Sequence, residues 1–259
     1  MKCFLLPQPP DPHGLVRLTG KDYHYLVRVR RFTPGSLFHA RLPGGKEVTV
    51  RVKALEGACL LGECLPDQSP AGDALPPLVL FQALPKGTKM DLIIRQAAEG
   101  GIAEVVPFAA DYSIPKMGAS GEREKTERWE RIIKEARQQS GSGIATAVHP
   151  PCTKETLFAY WETLKSRYPG ALGLLFHQEA LAQGSLHGYL SPIPEFIVLA
   201  IGPEGGFSPG EVSQFLAAGF KPMVFGNTIL RTETAALYGA AAVRVILLES
   251  ASWTVNSPQ

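Results

Sequence analysis

The sequence predicts a two-part molecule, a small β domain followed by an α/β domain whose sheet is mostly parallel. Three observations carry this expectation. The first sixty-odd residues hold several short strand-like runs with turn signals and one brief helix. Residues 66–77, PDQSPAGDALPP, then change the composition to prolines, a glycine and small polar residues, as a linker does. Beyond it, strand-like and helix-like segments alternate. The expected boundaries are a β domain over residues 1–68, a linker over 69–77 and an α/β domain over 78–259.

In the first part, KCFLL reads as a strand, and Thr19-Gly-Lys-Asp22 caps a short helix carrying YHYLVRVRR. Pro34-Gly35 makes a turn. SLFHARL and KEVTVRV flank Gly44-Gly45 as a hairpin, and ACLLGECL adds another strand. In the second part LVLFQAL is a strand, and KMDLIIRQAAEGG is a helix with Leu92, Ile93, Gln96 and Ala97 on one side, ended by Gly100-Gly101. AEVVPFAA is the next strand. EREKTERWERIIKEARQQSG is a charged helix with an apolar stripe of Trp129, Ile132, Ile133 and Ala136. A further helix starts at Thr153 and stops near Pro169-Gly170. ALGLLFHQ, FIVLAIGP and PMVFGN are the last strands, and ETAALYGAAAVRVILLE is the closing helix.

The balance of 45% hydrophobic and 19% charged residues among 259 is that of an ordinary globular protein, and the net charge of +2 does not announce a nucleic-acid binder. The distribution says more. Arg17, Lys21, Arg28, Arg30, Arg31, Arg41, Lys46, Arg51 and Lys53 face only Asp22 and Glu47 across the same stretch. His24, Arg28, Arg30 and Arg31 spread around one short helix, which suits either a phosphate-contacting surface or a solvated face. Cys3, Cys59, Cys64 and Cys152 show no C-x-x-C pair and no His at zinc spacing, so they read as reduced thiols and no metal is expected. MKCFLLPQPP breaks at Pro7 before a signal-peptide core could form, and the C-terminal apolar helix is interrupted by Arg244, so no membrane span is expected.

The chemistry concentrates in Ile201–Ala236. FIVLAIG stops at Gly202-Pro203-Glu204-Gly205-Gly206. Ser208-Pro209-Gly210-Glu211 then opens a helix with a capping signature, Ser at the N-cap, Pro at the first position and Glu at the third. Met223-Val224-Phe225 stops at Gly226-Asn227, followed by Ile229-Leu230-Arg231-Thr232-Glu233-Thr234 and an Ala-rich helix. Two glycine-bearing loops at strand ends, each leading into a helix, are where an α/β sheet binds a ligand. GPEGG lacks the spacing and lysine of a phosphate loop, PKGTK has those letters in the wrong order, and neither matches G-x-G-x-x-G. The glycines therefore permit close backbone approach to a flat ligand, or serve only tight turns. Glu204 sits in its loop without a structural purpose. Thr232 can be a cap and Glu233 a dipole partner, whereas Arg231 has no such local role and suits a base, a ribose or a phosphate. His177, ending GLLFHQE, reads as a structural or a functional histidine.

IGPEGGFSPGEV followed by FGNTILRTETAA closely resembles the paired motifs of the ribosomal small subunit methyltransferase E family, SPOUT-class proteins that make N3-methyluridine in 16S rRNA. HYLVRVRRFTPG, MDLIIRQAAEGGIAEVVPF and WERIIKEARQQSG resemble its N-terminal helix-turn, its first methyltransferase helix and strand, and its central helix. The likeness spans essentially the whole chain. It implies a SPOUT-type trefoil-knotted, mostly parallel sheet with helices on both faces, preceded by a PUA-like β-barrel that binds RNA. It also implies S-adenosyl-L-methionine as cofactor and a cytoplasmic homodimer with its site close to the subunit interface.

Carried over residue by residue, the cofactor loops are Phe176–Glu179 (with Phe176 and His177), Ile201–Gly206 (Ile201, Gly202, Pro203, Glu204, Gly205, Gly206) and Phe225–Thr234 (Phe225, Gly226, Asn227, Ile229, Leu230, Arg231, Thr232, Thr234). The family's E-L-G is Glu99-Gly100-Gly101 here, and its E-Q-S-G-R is Gln138-Gln139-Ser140-Gly141-Ser142. Its D-G-x-G turn is Leu42-Pro43-Gly44-Gly45, and its serine-bearing segment survives as Asp111-Tyr112-Ser113. These departures touch the expected RNA side more than the cofactor side.

Uracil N3 must lose a proton on methylation and lies on the Watson–Crick edge, so the base must be unpaired and splayed into a pocket. Arg231 is expected to orient the uracil or stabilise its anion, and Glu204 or Glu233 to accept the proton. Lys21, His24, Arg28, Arg30 and Arg31 are expected to hold RNA phosphates. The rival readings are a ribose 2′-O methyltransferase of the same class, a non-catalytic RNA-binding protein, and an α/β enzyme that holds a nucleotide by its phosphates.

Overall fold

The computed structural model describes residues 4–43, 46–66, 75–113, 122–178, 184–226 and 228–253. The Gly44-Gly45 turn, residues 67–74 of the expected linker, Cys3, Glu179 and Asn227 lie outside them. The chain separates into two compact units, Met1–Gly72 with Arg137–Ala145, and Asp73–Ala136 with Thr146–Gln259.

The first unit is a five-stranded sheet in the order β1-β3-β4-β5-β2, from β1 (Phe4–Leu5), β2 (Leu15–Thr19), β3 (Leu37–Arg41), β4 (Glu47–Glu56) and β5 (Cys59–Pro66). β1 pairs in parallel with β3, and the other pairings are antiparallel. Alternation places Phe38, Ala40, Val48, Val50, Val52 and Leu60 on one inward face, closed by Leu18 and Leu26. A bulge between Val52 and Ala54 interrupts the β4–β5 ladder. After Thr19 one α-helical turn, α1 (Gly20–Tyr23), continues as a π-helix over His24–Val29. The wider π turn buries Leu26 alone and leaves Lys21, His24, Arg28, Arg30 and Arg31 exposed. Arg31, at φ 57°, ends it in the left-handed region.

The second unit is a six-stranded sheet in the order β11-β9-β10-β6-β7-β8, parallel throughout. Its strands are β6 (Leu78–Ala83), β7 (Glu104–Phe108), β8 (Ala147–Val148), β9 (Ala171–Phe176), β10 (Phe196–Ile201) and β11 (Lys221–Met223). A parallel sheet covered on both faces should read as continuous apolar runs, and every residue of β6 and β10 is buried. One face packs on α2 (Lys89–Glu99), α3 (Glu122–Ser140) and α7 (Thr232–Trp253) through Leu80, Ile94, Trp129, Leu199 and Val243. The other packs on α4 (Lys154–Arg167) and α6 (Pro209–Ala217) through Phe81, Phe108, Trp161, Val198 and Phe215. A short α5 (Leu186–Tyr189) precedes β10.

The buried face of α2 is Met90, Ile93, Ile94, Ala97 and Ala98, and Leu92 points outward, 41% exposed. The i, i+3, i+4, i+7, i+8 spacing of those five decides the face, and Leu92 falls off it. The predicted cap of α6 is present in full. Ser208 Oγ accepts from Glu211 N, and Glu211 Oε2 accepts from Ser208 N. Among the described residues no helix is long and apolar enough to cross a membrane.

Candidate functional site

At the carboxyl ends of β9, β10 and β11 the strands release their chains on one edge of the sheet, next to the point where the strand order reverses. There a cavity of about 570 Å³ is built from three loops. From β9 come Phe176, His177 and Gln178; from β10 come Ile201, Gly202, Pro203, Glu204 and Gly206; from β11 come Phe225, Ile229, Leu230, Arg231 and Thr232. Lys89, at the start of α2, completes one side.

The walls are apolar where aromatic rings stack. Phe176 lies on Phe225 with centroids 4.8 Å apart, and Tyr238 meets Phe225 edge-on at 5.0 Å. Gly239, inside α7, makes room for this: a Cβ there would come within 3.0 Å of the Phe176 ring. The β10 loop folds back on itself, so that a Cβ on Gly202 would stand 3.2 Å from the backbone of Gly206, whose φ is +72°.

The loops are tied by a buried polar chain. Gln82 Nε2 donates to Thr232 Oγ1 at 2.9 Å, and Thr232 Oγ1 donates to the carbonyl of Gly202 at 2.6 Å. One hydroxyl thus joins β6, the start of α7 and the β10 loop. Thr232 is a clamp between loops. Sequence reasoning missed Gln82, although a lone glutamine inside LVLFQAL is a signal in itself, since a buried amide must find partners.

Lys89 was missed as well. Its Nζ is 2.7 Å from Glu204 Oε1 and 3.8 Å from Glu233 Oε2. The Glu204 carboxylate also accepts from Lys86 N at 3.1 and 3.2 Å. Partial burial would raise the Glu204 pKa, but Lys89, its own backbone and the Lys86 amide outweigh that and hold it below the usual carboxylate range. Such a carboxylate is a weak base. Glu233 Oε2 is buried and accepts no hydrogen bond among the described residues, with Lys89 Nζ 3.8 Å away. The two candidates for proton acceptance therefore differ in kind. Arg231 is exposed at the mouth of the cavity, and its guanidinium has no ion-pair partner among the described residues. Gly205 and Gly226 sit on the same loops without lining the cavity, and Glu233 and Thr234, in the first turn of α7, do not line it either. Lys21, His24, Arg28, Arg30 and Arg31 belong to the other unit.

Behind the β10 loop stands a second polar cluster. Asp111, just after β7, accepts from Lys154 and from Ser208 Oγ, and its amide donates to the buried Glu211 at 2.9 Å. The bonds from Lys154 and Ser208 hold the Asp111 carboxyl below its ordinary range. Among the described residues no group of three or more His, Cys, Asp or Glu is placed to hold a metal.

Residues 73–244 match the family model described as an RNA methyltransferase domain. Over 236 residues, 90% of this chain and 73% of the relative, the sequence is 35% identical to the ribosomal RNA small subunit methyltransferase E of Synechocystis sp.. The chain belongs to that family. It is 27% identical to the member from Bacillus subtilis, covering 87% of this chain and 88% of that one. A crystal structure of the ribosomal RNA small subunit methyltransferase E of Neisseria gonorrhoeae, bound to S-adenosyl methionine, matches with a TM-score of 0.77 at 26% identity. It covers 95% of this chain and 98% of that one. The methyltransferase E relatives thus match both units, whereas the domain model begins at residue 73.

Proposed function

We propose that this methyltransferase E family member transfers a methyl group from S-adenosyl-L-methionine to N3 of a uridine in 16S rRNA, as a cytoplasmic homodimer. The observation that carries the reading is the cavity at the carboxyl ends of β9, β10 and β11, with its two glycine loops held together by Gln82 and Thr232. Its residues fit the donor. The aromatic and aliphatic walls of Phe176, Ile201, Phe225 and Leu230 suit an adenine ring, and the close backbone of Gly202 and Gly206 suits recognition by main-chain groups. S-adenosylmethionine, when bound, supplies an electrophilic methyl group on a sulfonium centre.

The rest of the chemistry falls to the chain. The cavity positions the uracil, from which most of the rate advantage of an in-line transfer comes. Arg231, at the mouth, faces the charge that develops on the uracil carbonyls as N3 loses its proton. Glu233 accepts that proton. Its buried, undonated oxygen supports this role, while the engagement of Glu204 with Lys86 and Lys89 supports a positioning role for Glu204.

In this reading the first unit is the PUA-like RNA-binding barrel. It presents Lys21, His24, Arg28, Arg30 and Arg31 to phosphates, and residues 69–77 link it to the catalytic domain. The inserted β10 between β9 and β6, together with the family membership, supports a trefoil-knotted C-terminal half. Dimerisation is supported by the exposed stripe of Leu237, Val245 and Leu248 on α7.

The deciding experiment titrates the protein calorimetrically with S-adenosylhomocysteine and maps methylated nucleotides by mass spectrometry after reaction with unmethylated small subunits. Stoichiometric binding with a new N3-methyluridine is expected. A methyl on a ribose would convert the reading to a 2′-O methyltransferase, and absence of binding would remove it.

A further inference from the structure

Tyr112 is a large aromatic residue that the molecule leaves half in solvent, 50% exposed, at the carboxyl edge of the sheet. The loop that carries it does not hang free. On one side, Asp111 is fixed three ways, by its amide to the buried Glu211, by Lys154 and by the hydroxyl of Ser208. On the other, Ser113 N donates to the carbonyl of Ala110 at 3.0 Å, and Ser113 Oγ accepts from Ala110 N at 3.1 Å. The tyrosine is therefore presented by a backbone pinned before and after it.

The side chain rests on Gly205. A Cβ at Gly205 would stand 3.0 Å from Tyr112 Cβ and 3.4 Å from its ring, so the absence of a side chain there lets the tyrosine lie against the loop. Gly205 lies between Glu204 and Gly206, which line the cavity, but neither Gly205 nor Tyr112 lines it, so the ring stands on the outer side of that loop, one residue from the cavity wall. Core packing does not explain the arrangement, because half of the residue remains uncovered. A rigid, exposed aromatic beside a pocket that must receive a splayed-out nucleotide is instead what single-stranded RNA recognition uses, a flat face on which a base stacks.

We propose that Tyr112 is a stacking platform for an unpaired base of the RNA substrate, holding the strand against the outer side of the β10 loop, beside the cavity. The proposal rests on the RNA methyltransferase reading and deepens it by naming a substrate contact outside the cofactor loops. The rigid loop matters because the aromatic face is ordered before the RNA arrives, and little entropy is lost on stacking.

The test compares Tyr112→Phe, Tyr112→Leu and Tyr112→Ala with the wild type. It measures affinity for unmethylated 16S rRNA, methylation kinetics, and affinity for S-adenosylhomocysteine. Leucine still covers Gly205 but has no flat π face, so it separates stacking from packing. The expected result is that phenylalanine stays within about twofold of wild type, while leucine and alanine bind RNA about 5- to 150-fold more weakly. Affinity for S-adenosylhomocysteine should be unchanged in all three. A leucine variant with wild-type RNA affinity overturns the inference alone. Parallel loss of S-adenosylhomocysteine and RNA binding in the leucine variant also overturns it, by making Tyr112 a support for the loop. A wild-type protein that binds neither RNA nor S-adenosylhomocysteine overturns the parent reading and this inference with it.

Discussion

Lys89 stands between Glu204, which lines the cavity, and Glu233, which does not, at 2.7 Å and 3.8 Å. It helps to hold the Glu204 carboxyl below its ordinary range. Lys89→Met should let the Glu204 pKa rise toward the ordinary carboxylate value. An ionised Glu204 is needed to hold the Lys86 amide, so the acid limb of the kcat/KM profile should move to higher pH. A pH–rate series checks this, and an unmoved acid limb would show that Glu204 does not shape the site. Arg231 tests the other half of the mechanism. If its guanidinium faces charge that develops only during reaction, Arg231→Ala should lower kcat by roughly 100- to 1,000-fold. Affinity for S-adenosylhomocysteine should change little, since the substitution leaves the walls of Phe176 and Phe225 in place. Single-turnover kinetics beside calorimetry separates the two effects.

Ser208 joins two structures at the level of elements. It caps α6, and its hydroxyl also donates to Asp111 beyond β7. Ser208→Ala removes both roles and should destabilise the protein by about 1–2 kcal/mol, readable as a lower denaturation midpoint. Ser208→Asp would keep the cap but place a second carboxylate against Asp111, and should not restore stability. The capping signature was legible in the sequence because it is local: Ser, Pro and Glu at fixed offsets imply their own hydrogen bonds. The apolar strands β6, β9 and β10 were legible for the same reason, and so were the glycine loops at the ends of β10 and β11. Contacts between distant segments were not. Gln82 and Thr232 are 150 positions apart, and Lys89 and Glu204 are 115 apart. No periodicity registers such pairs, only the oddity of a polar residue in an apolar run. β8, with two residues, is too short to leave a pattern, and β2 is hidden by Arg17 on its exposed face. The π-helix escaped because HYLVRV carries no pattern that separates its wider turn from an α-helical one.

For the whole molecule, acid sensitivity is placed unevenly. Glu104, Asp111 and Glu204 all belong to the second unit, and all have carboxyl pKa values below the ordinary range. His149 holds Glu104 there, with Tyr160 beside it; Lys154 and Ser208 hold Asp111; and Lys89 outweighs burial at Glu204. A carboxyl depressed in the folded state contributes stability that is present above its unfolded pKa. That stability is lost as pH falls through the folded pKa, so the losses should begin below about pH 4 and fall on the α/β unit. Trp129 and Trp161 are both buried in that unit, Trp253 also belongs to it, and together they supply its fluorescence signal. The acid transition by tryptophan fluorescence should therefore lie at higher pH than unfolding of the first unit followed by amide exchange. Lys154 makes the test specific. It pairs with both Asp111 and the buried Glu211, the latter at 3.5 Å. Lys154→Met should cost about 1–2 kcal/mol near neutral pH, where the Asp111 carboxylate is ionised. The cost should shrink as acid protonates Asp111, so the stability curves of variant and wild type should converge at low pH. Curves that stay parallel down to acid unfolding would mean that Lys154 acts through packing of its stem and not through its charge.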